Sequence, residues 1–123
     1  LGGKINIASV PPHKDRLYEL VRWRIGEVES LGIDVRLNTE VTLELVREIN
    51  PQAVVIATGA EPFKPPIPGA ESAVFARDVL NGSVKAHGDV LIIGGGMVGM
   101  ETAEFIRPDC GRVTVVEMTD TIC

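Results

Sequence analysis

The sequence predicts an α/β fold assembled from parallel strand–helix–strand units, and three observations carry that reading. Two short, continuously apolar runs, Ala53–Ala57 and Val90–Ile93, have the pattern of parallel strands covered on both faces. Segments with apolar residues three and four apart, the spacing of an amphipathic helix, stand beside these runs. A glycine-rich turn, Gly94-Gly95-Gly96-Met97-Val98-Gly99, follows one apolar run directly and opens a helical stretch.

The elements follow in chain order. Pro11-Pro12 open a helical pattern in which Leu17, Leu20, Val21, Ile25, Val28 and Leu31 recur at helical spacing, and Gly32 stands where a left-handed C-cap belongs. Trp23 flanks that stripe and is expected in partial core or on a domain-contact surface. Ile33–Leu37 alternates with period two and predicts a half-buried strand. Thr42 is placed to cap a short helix running to Ile49, with Glu44 in its first turn and Pro51 just past its end. Ala53–Ala57 is the next strand. The stretch 60–70 carries prolines at 62, 65, 66 and 68, which excludes a helix or an inner strand and marks a stiff connector and domain boundary. A short helical piece at Arg77–Leu80 and an Asn81-Gly82 turn precede the closing unit: strand Val90–Ile93, helix Met97–Ile106, strand Val113–Val116. In Arg107-Pro108-Asp109-Cys110 the proline ends the helix.

Charge and cysteine content narrow the function. The 123 residues hold 12 Lys+Arg against 17 Asp+Glu, a net charge of −5 with no basic cluster, so neither nucleic acid nor an anionic membrane is an expected partner. No apolar run approaches the ~20 residues of a membrane span, and no secretion signal is seen; two lone cysteines with no disulfide framework read as a reducing, cytoplasmic compartment. Cys110 and Cys123 stand alone, and His13 and His87 lie far from both, so no metal site and no disulfide framework is expected within the chain. Cys110 is read as a plain small residue, and His13 and Lys14 as solvated polar residues ahead of the first long helix. The chain begins at Leu1 without a Met and stops soon after a strand, the pattern expected of a piece of a longer protein.

The glycine turn carries the chemistry. Gly94 permits a tight turn, Gly96 lets the backbone approach a pyrophosphate, and Gly99 allows close helix–strand packing. Phosphates then meet the unpaired N–H groups at the helix N-terminus. Glu117 closes the second strand 23 residues after Gly94, where an acid accepts hydrogen bonds from both hydroxyls of an adenosine ribose. Met118-Thr119-Asp120 offers no cation for a 2′-phosphate, so NADH is the expected dinucleotide; Arg112 would reverse this only if the fold brought it beside the ribose. Glu101 is read on the first turn of the helix, either complementing its dipole or making a polar contact near the nicotinamide. Ala57-Thr58-Gly59 ends a strand with small residues at the sheet edge where α/β proteins bind ligands. No residue of the chain is proposed as acid, base or nucleophile.

Together Leu1-Gly2-Gly3, Ala57-Thr58-Gly59-Ala60-Glu61-Pro62 with Pro66-Ile67-Pro68-Gly69, and the glycine motif extended to Glu101 resemble the two-dinucleotide flavoprotein reductases, over essentially the whole chain. The resemblance implies Rossmann-like parallel sheets, incomplete here: residues 1–59 as part of an FAD-binding domain and 71–123 as part of an NAD-binding domain. It assigns Gly94, Gly95, Gly96, Met97, Val98, Gly99, Glu101 and Glu117 to NAD, and Gly2, Gly3, Val41, Ala57, Thr58 and Gly59 to the FAD side. The dithiol classes are disfavoured, because Lys4–Val10 and Glu71–Asp89 hold no cysteine where those classes carry a redox pair. Ala8–Lys14, Asn38–Val41 and Glu101–Phe105 are most similar to the NADH:flavin oxidoreductases, the 2,4-dienoyl-CoA and 2-enoate reductase relatives of old yellow enzyme.

By that resemblance, hydride from NADH enters at FAD, and electrons pass through a 4Fe-4S cluster to FMN on domains outside this chain. FMN there reduces an activated C=C bond. The chain by itself is then expected to be inactive and free of flavin, its partner being the remainder of its own polypeptide. Open strand edges predict a homodimer, by strand exchange. The alternatives are a non-catalytic nucleotide-binding or docking module, or another pyridine nucleotide-dependent FAD reductase lacking a redox disulfide.

Overall fold

The structure is a computed structural model and describes residues 1–122, so the reading of Cys123 lies outside the described residues. Its elements are α1 (Lys4–Ala8), α2 (Asp15–Ser30), α3 (Leu43–Ile49), α4 (Ala76–Leu80), β1 (Gly88–Ile93), α5 (Met97–Ile106) and β2 (Cys110–Val116), with single 3₁₀ turns at Ala70–Ser72 and Arg107–Asp109. The helix α1 was not expected. Five residues are too few to display a helical period, and Gly3 at φ +50 starts it. Helix α2 begins later than the proline pair. His13 adopts φ +64, which no helical residue can hold, and Lys14 becomes the N-cap.

The end of α2 is decided as the sequence predicts. Gly32 sits at φ +64, its N–H donating to the Glu29 carbonyl at 3.0 Å, while the Ile33 N–H reaches Val28 at 3.2 Å. Those two bonds satisfy the last carbonyls in a Schellman arrangement. The α3 cap also forms: Thr42 Oγ1 accepts the Leu45 N–H at 3.3 Å, and Asn50 closes the helix at φ +48. Thr42→Ala is expected to cost this short helix about 1 kcal/mol and to speed amide exchange in α3 about fivefold. Unchanged exchange rates would show that the cap contributes nothing.

Two expected strands are not strands. Neither Ile33–Leu37 nor Ala53–Ala57 joins a ladder, and the sheet of the described residues has two strands only, β1 and β2. Val55 and Ile56 are 86% and 85% exposed. A strand is made by a ladder partner rather than by its own residues, and neither segment has one among the described residues.

The proline connector is held to the unit that follows it. Lys64 Nζ donates to the Glu71 carbonyl at 2.7 Å, and Lys64 and Arg77 stand 5.6 and 5.7 Å from the Phe75 ring. Arg77 pairs with Glu61 and holds that carboxyl below its ordinary range through hydrogen bonding and charge.

Strands β1 and β2 are parallel, with Val90 opposite Val113 and Ile93 opposite Val116. An extra residue enters β2 near Gly111. Asp89 covers this irregularity, accepting the Arg112 N–H at 3.1 Å and its guanidinium at 3.0 Å. Helix α5 crosses one face of the pair. Val79, Ile106 and Cys110 are buried there, with Val84, Ala86, Val90, Ile92, Phe105 and Val113 packed against them. Cys110 is thus a core side chain at the start of β2, in keeping with its reading as a small residue. The strand β1 is covered on one face, not on both: Leu91 and Ile93 remain exposed because one crossover helix covers only one side. Trp23 is exposed, with the Arg24 guanidinium 4.5 Å from its ring centroid.

Candidate dinucleotide site

The turn between β1 and α5 is shaped by three glycines, each for a different reason. Gly94 holds φ +106, outside the range of other residues, and its N–H donates to the Val116 carbonyl at 2.8 Å. A Cβ on Gly99 would lie 1.9 Å from the Gly94 carbonyl oxygen, so helix and turn meet backbone to backbone. Gly96, the N-cap of α5, has φ −73 and ψ 176, which any residue tolerates. A Cβ there would meet nothing within 4 Å. What glycine provides at that position is bare backbone at the head of a ten-residue helix, whose first-turn N–H groups lack partners inside the helix. That surface suits a pyrophosphate.

Glu117 closes the turn from the end of β2. Its Oε2 accepts the Gly95 N–H at 2.7 Å. Its Oε1 accepts the N–H groups of Met118 at 2.7 Å and Thr119 at 3.0 Å, with the Thr119 hydroxyl at 3.2 Å. The backbone N–H of Thr119, then those of Gly95 and Met118, favour the charged form and lower the carboxyl pKa from 4.5 to about 2. The acid is ionised at any physiological pH. Ile122 folds back over the same turn, and a Cβ on Gly95 would lie 2.8 Å from its Cγ2.

Glu101 lies one turn deeper than expected, since α5 starts at Met97 and its first turn holds no acid. It therefore does not cap the helix dipole. Its carboxylate pairs with Lys14 Nζ at 2.7 Å, with the two side chains only 21% and 30% exposed. Lys14 is not the solvated residue the sequence implied: no local pattern reveals a partner 87 positions away. His13 stands 3.9 Å from Glu104 on the same helix face and remains exposed. A double-mutant cycle of Lys14→Met and Glu101→Gln in the intact protein is expected to give a coupling of about 1 kcal/mol in thermal unfolding. Zero coupling would show that the pair contributes nothing to stability.

Arg112 is held away from the acid. Its guanidinium is bound to Asp89 at the opening end of the strand pair, whereas Glu117 follows the closing end. Of the residues assigned to FAD by resemblance, Gly2 is tightly set: φ is +101, and a Cβ would lie 2.4 Å from Asn6 and 2.7 Å from the buried Val21. Gly59 adopts φ +77, with the end of the Lys4 side chain 4.0 Å from where its Cβ would be. Val41 is exposed, and no hydrogen bond among the described residues ties it or Thr58 to those glycines.

Over residues 3–123 the sequence matches the family described as pyridine nucleotide-disulphide oxidoreductase. It is 42% identical to a bilirubin reductase of Mediterraneibacter gnavus over 99% of this chain and 19% of that protein. It is 40% identical to an NADH oxidase of Thermoanaerobacter brockii, over 99% of this chain and 20% of that one. A cinnamate reductase of Clostridium sporogenes is 38% identical over 99% of the chain and 18% of its own length. A solved 2-naphthoyl-CoA reductase bound to 2-naphthoyl-CoA superposes with a TM-score of 0.84 at 32% identity, covering 98% of this chain and 19% of that one. The chain thus spans about a fifth of the length of the curated relatives it matches. The β1–α5–β2 unit is Rossmann-like, as in these reductases.

Proposed function

The chain belongs to the pyridine nucleotide-disulphide oxidoreductase family, and from that premise we propose that it is the FAD- and NADH-binding part of a longer flavin-dependent reductase. Residues 1–59 belong to the flavin-binding domain, 60–70 form the connector, and 71–123 belong to the nicotinamide-binding domain. The observation that carries the reading is the glycine turn, with its bare backbone at Gly96 and its ionised acid at Glu117. Gly94, Gly95, Gly96, Met97, Val98 and Gly99 hold the pyrophosphate of NADH, and Glu117 holds its ribose. Glu101 sits beside Lys14 near the nicotinamide end. Gly2, Gly3, Val41 and Ala57-Thr58-Gly59 line the flavin side.

When bound, the two cofactors supply hydride transfer from nicotinamide to flavin. The chain's own residues bind, orient and discriminate; none donates or removes a proton in the chemical step. The acceptor lies on FMN and a 4Fe-4S cluster carried by an N-terminal barrel of the same polypeptide, and the reaction is reduction of a C=C bond conjugated to a carbonyl. Support for that substrate class comes from the similarity to reductases named for cinnamate and 2-naphthoyl-CoA, both of which carry unsaturated carbon conjugated to a carbonyl. Among the described residues no helix is long and apolar enough to cross a membrane, and we place the protein in the cytoplasm. The exposed, unpaired Val54–Ile56 segment supports pairing with the rest of the polypeptide or, in the isolated chain, with a second copy.

The test uses the full-length protein. Extraction is expected to release FAD and FMN, and NADH added without oxygen is expected to bleach the flavin. A colourless protein that binds NADH without turnover would overturn the proposal in favour of a nucleotide-binding module.

A further inference from the structure

We infer that Thr119 is a positioning residue for Glu117 and, through it, sets which dinucleotide the chain accepts. The inference rests on the reading of Glu117 as the ribose-binding acid and says how that acid is held. An ionised carboxylate offers four acceptor positions, two on each oxygen. Oε1 of Glu117 is saturated within the chain, by Met118 N–H at 2.7 Å, Thr119 N–H at 3.0 Å and Thr119 Oγ1 at 3.2 Å. Oε2 carries one donor, the Gly95 N–H at 2.7 Å, and keeps one free acceptor position. In this arrangement Glu117 accepts one ribose hydroxyl through Oε2, rather than both.

Thr119 is the residue that joins the parts of this arrangement. Its main chain and hydroxyl both reach Oε1, and the same hydroxyl lies 2.9 Å from the Thr121 carbonyl. Its single proton is thus shared between the acid and the turn that brings Ile122 over Gly95. Without the hydroxyl the three main-chain N–H groups still hold the carboxylate, but the tie between Oε1 and the turn at Thr121 is lost, and the free acceptor position on Oε2 is aimed less tightly. A phosphate on the ribose is then opposed less strictly, and a hydroxyl bound less well. Thr119 is exposed, so the near-isosteric Thr119→Val leaves the core untouched.

The experiment measures kcat/KM for NADH and NADPH in the full-length enzyme, with flavin content recorded for every variant. Thr119→Val is expected to lower the NADH-over-NADPH ratio about three- to tenfold, through a higher KM for NADH at unchanged kcat. Thr119→Ser, which keeps the hydroxyl, is expected to restore it. Glu117→Gln is the reference arm. If that variant shifts the ratio and Thr119→Val does not, the inference about Thr119 is wrong while the reading of Glu117 stands. If neither shifts it, both fall. A KM raised equally for the two dinucleotides would reduce Thr119 to a purely structural turn residue and likewise overturn the inference.

Discussion

Gly99→Ala is expected to loosen the packing of α5 and abolish tight NADH binding together, whereas Gly96→Ala is expected to weaken binding alone. The two glycines stand three residues apart in one motif, yet their surroundings are opposite. At Gly99 the added methyl would lie 1.9 Å from the Gly94 carbonyl oxygen and 3.1 Å from its carbon, both main-chain atoms. Neither can rotate away, so α5 must retreat from β1. Over-packing of this kind costs about 1–3 kcal/mol and occasionally more, and a backbone-to-backbone contact belongs at the upper end. The retreat also withdraws the N–H groups at the head of the helix. At Gly96 the methyl meets nothing, and φ −73 with ψ 176 suits alanine. Only a ligand lying against that backbone would register the change. Thermal unfolding and NADH titration of the full-length protein separate the cases. We expect a lowered Tm with Gly99→Ala only, and at least about a tenfold loss of NADH affinity with both. Wild-type affinity in Gly96→Ala would mean that the dinucleotide does not approach there.

Glu117→Gln is expected to lower the preference for NADH over NADPH about tenfold or more, because the amide removes the charge that repels a 2′-phosphate. It also turns one acceptor oxygen into a donor facing N–H groups that need an acceptor. Arg112 offers no substitute cation, since Asp89 holds it at the opposite end of the strand pair. The pH dependence follows from the depressed pKa. Folding lowers it from 4.5 to about 2, so the stabilisation is fully present above pH 4.5 and is lost as pH falls toward 2. Glu117 therefore stays ionised between about pH 5 and 8, and the preference for NADH is expected to rise across that range only as the 2′-phosphate gains its second charge at about pH 6. Acid destabilisation below pH 4.5 should be shallower in Glu117→Gln than in the wild type. The ratio of kcat/KM values checks the first expectation and acid titration of unfolding the second. A full-length protein that prefers NADPH would show that Glu117 is not the reader.

The legible parts of the chain are those whose cause lies within a few residues. Gly32 ends α2 and Thr42 opens α3 because a left-handed glycine and a capping hydroxyl act on their own helix turn. The β1–α5–β2 unit is legible for a related reason: strand, turn, helix and strand follow one another directly, and the glycine spacing reports the packing of adjacent elements. Helix α1 is not legible because five residues show no period, and α2 starts later than the proline pair implies because His13 carries a positive φ that prolines upstream do not announce.

By itself the sequence determined the order of elements in the second unit, the glycine turn and the position of the acid that follows it, since each rests on local backbone geometry. The tertiary structure alone decided that Lys14 reaches Glu101, that Glu117 is bound by Gly95 and its own turn, and that Arg112 is held by Asp89. It also decided that Ile33–Leu37 and Ala53–Ala57 stay unpaired and that β1 is covered on one face only. Ion pairs and strand ladders form between residues distant in the chain. Their partners are selected by the three-dimensional path, which no short window of residues encodes.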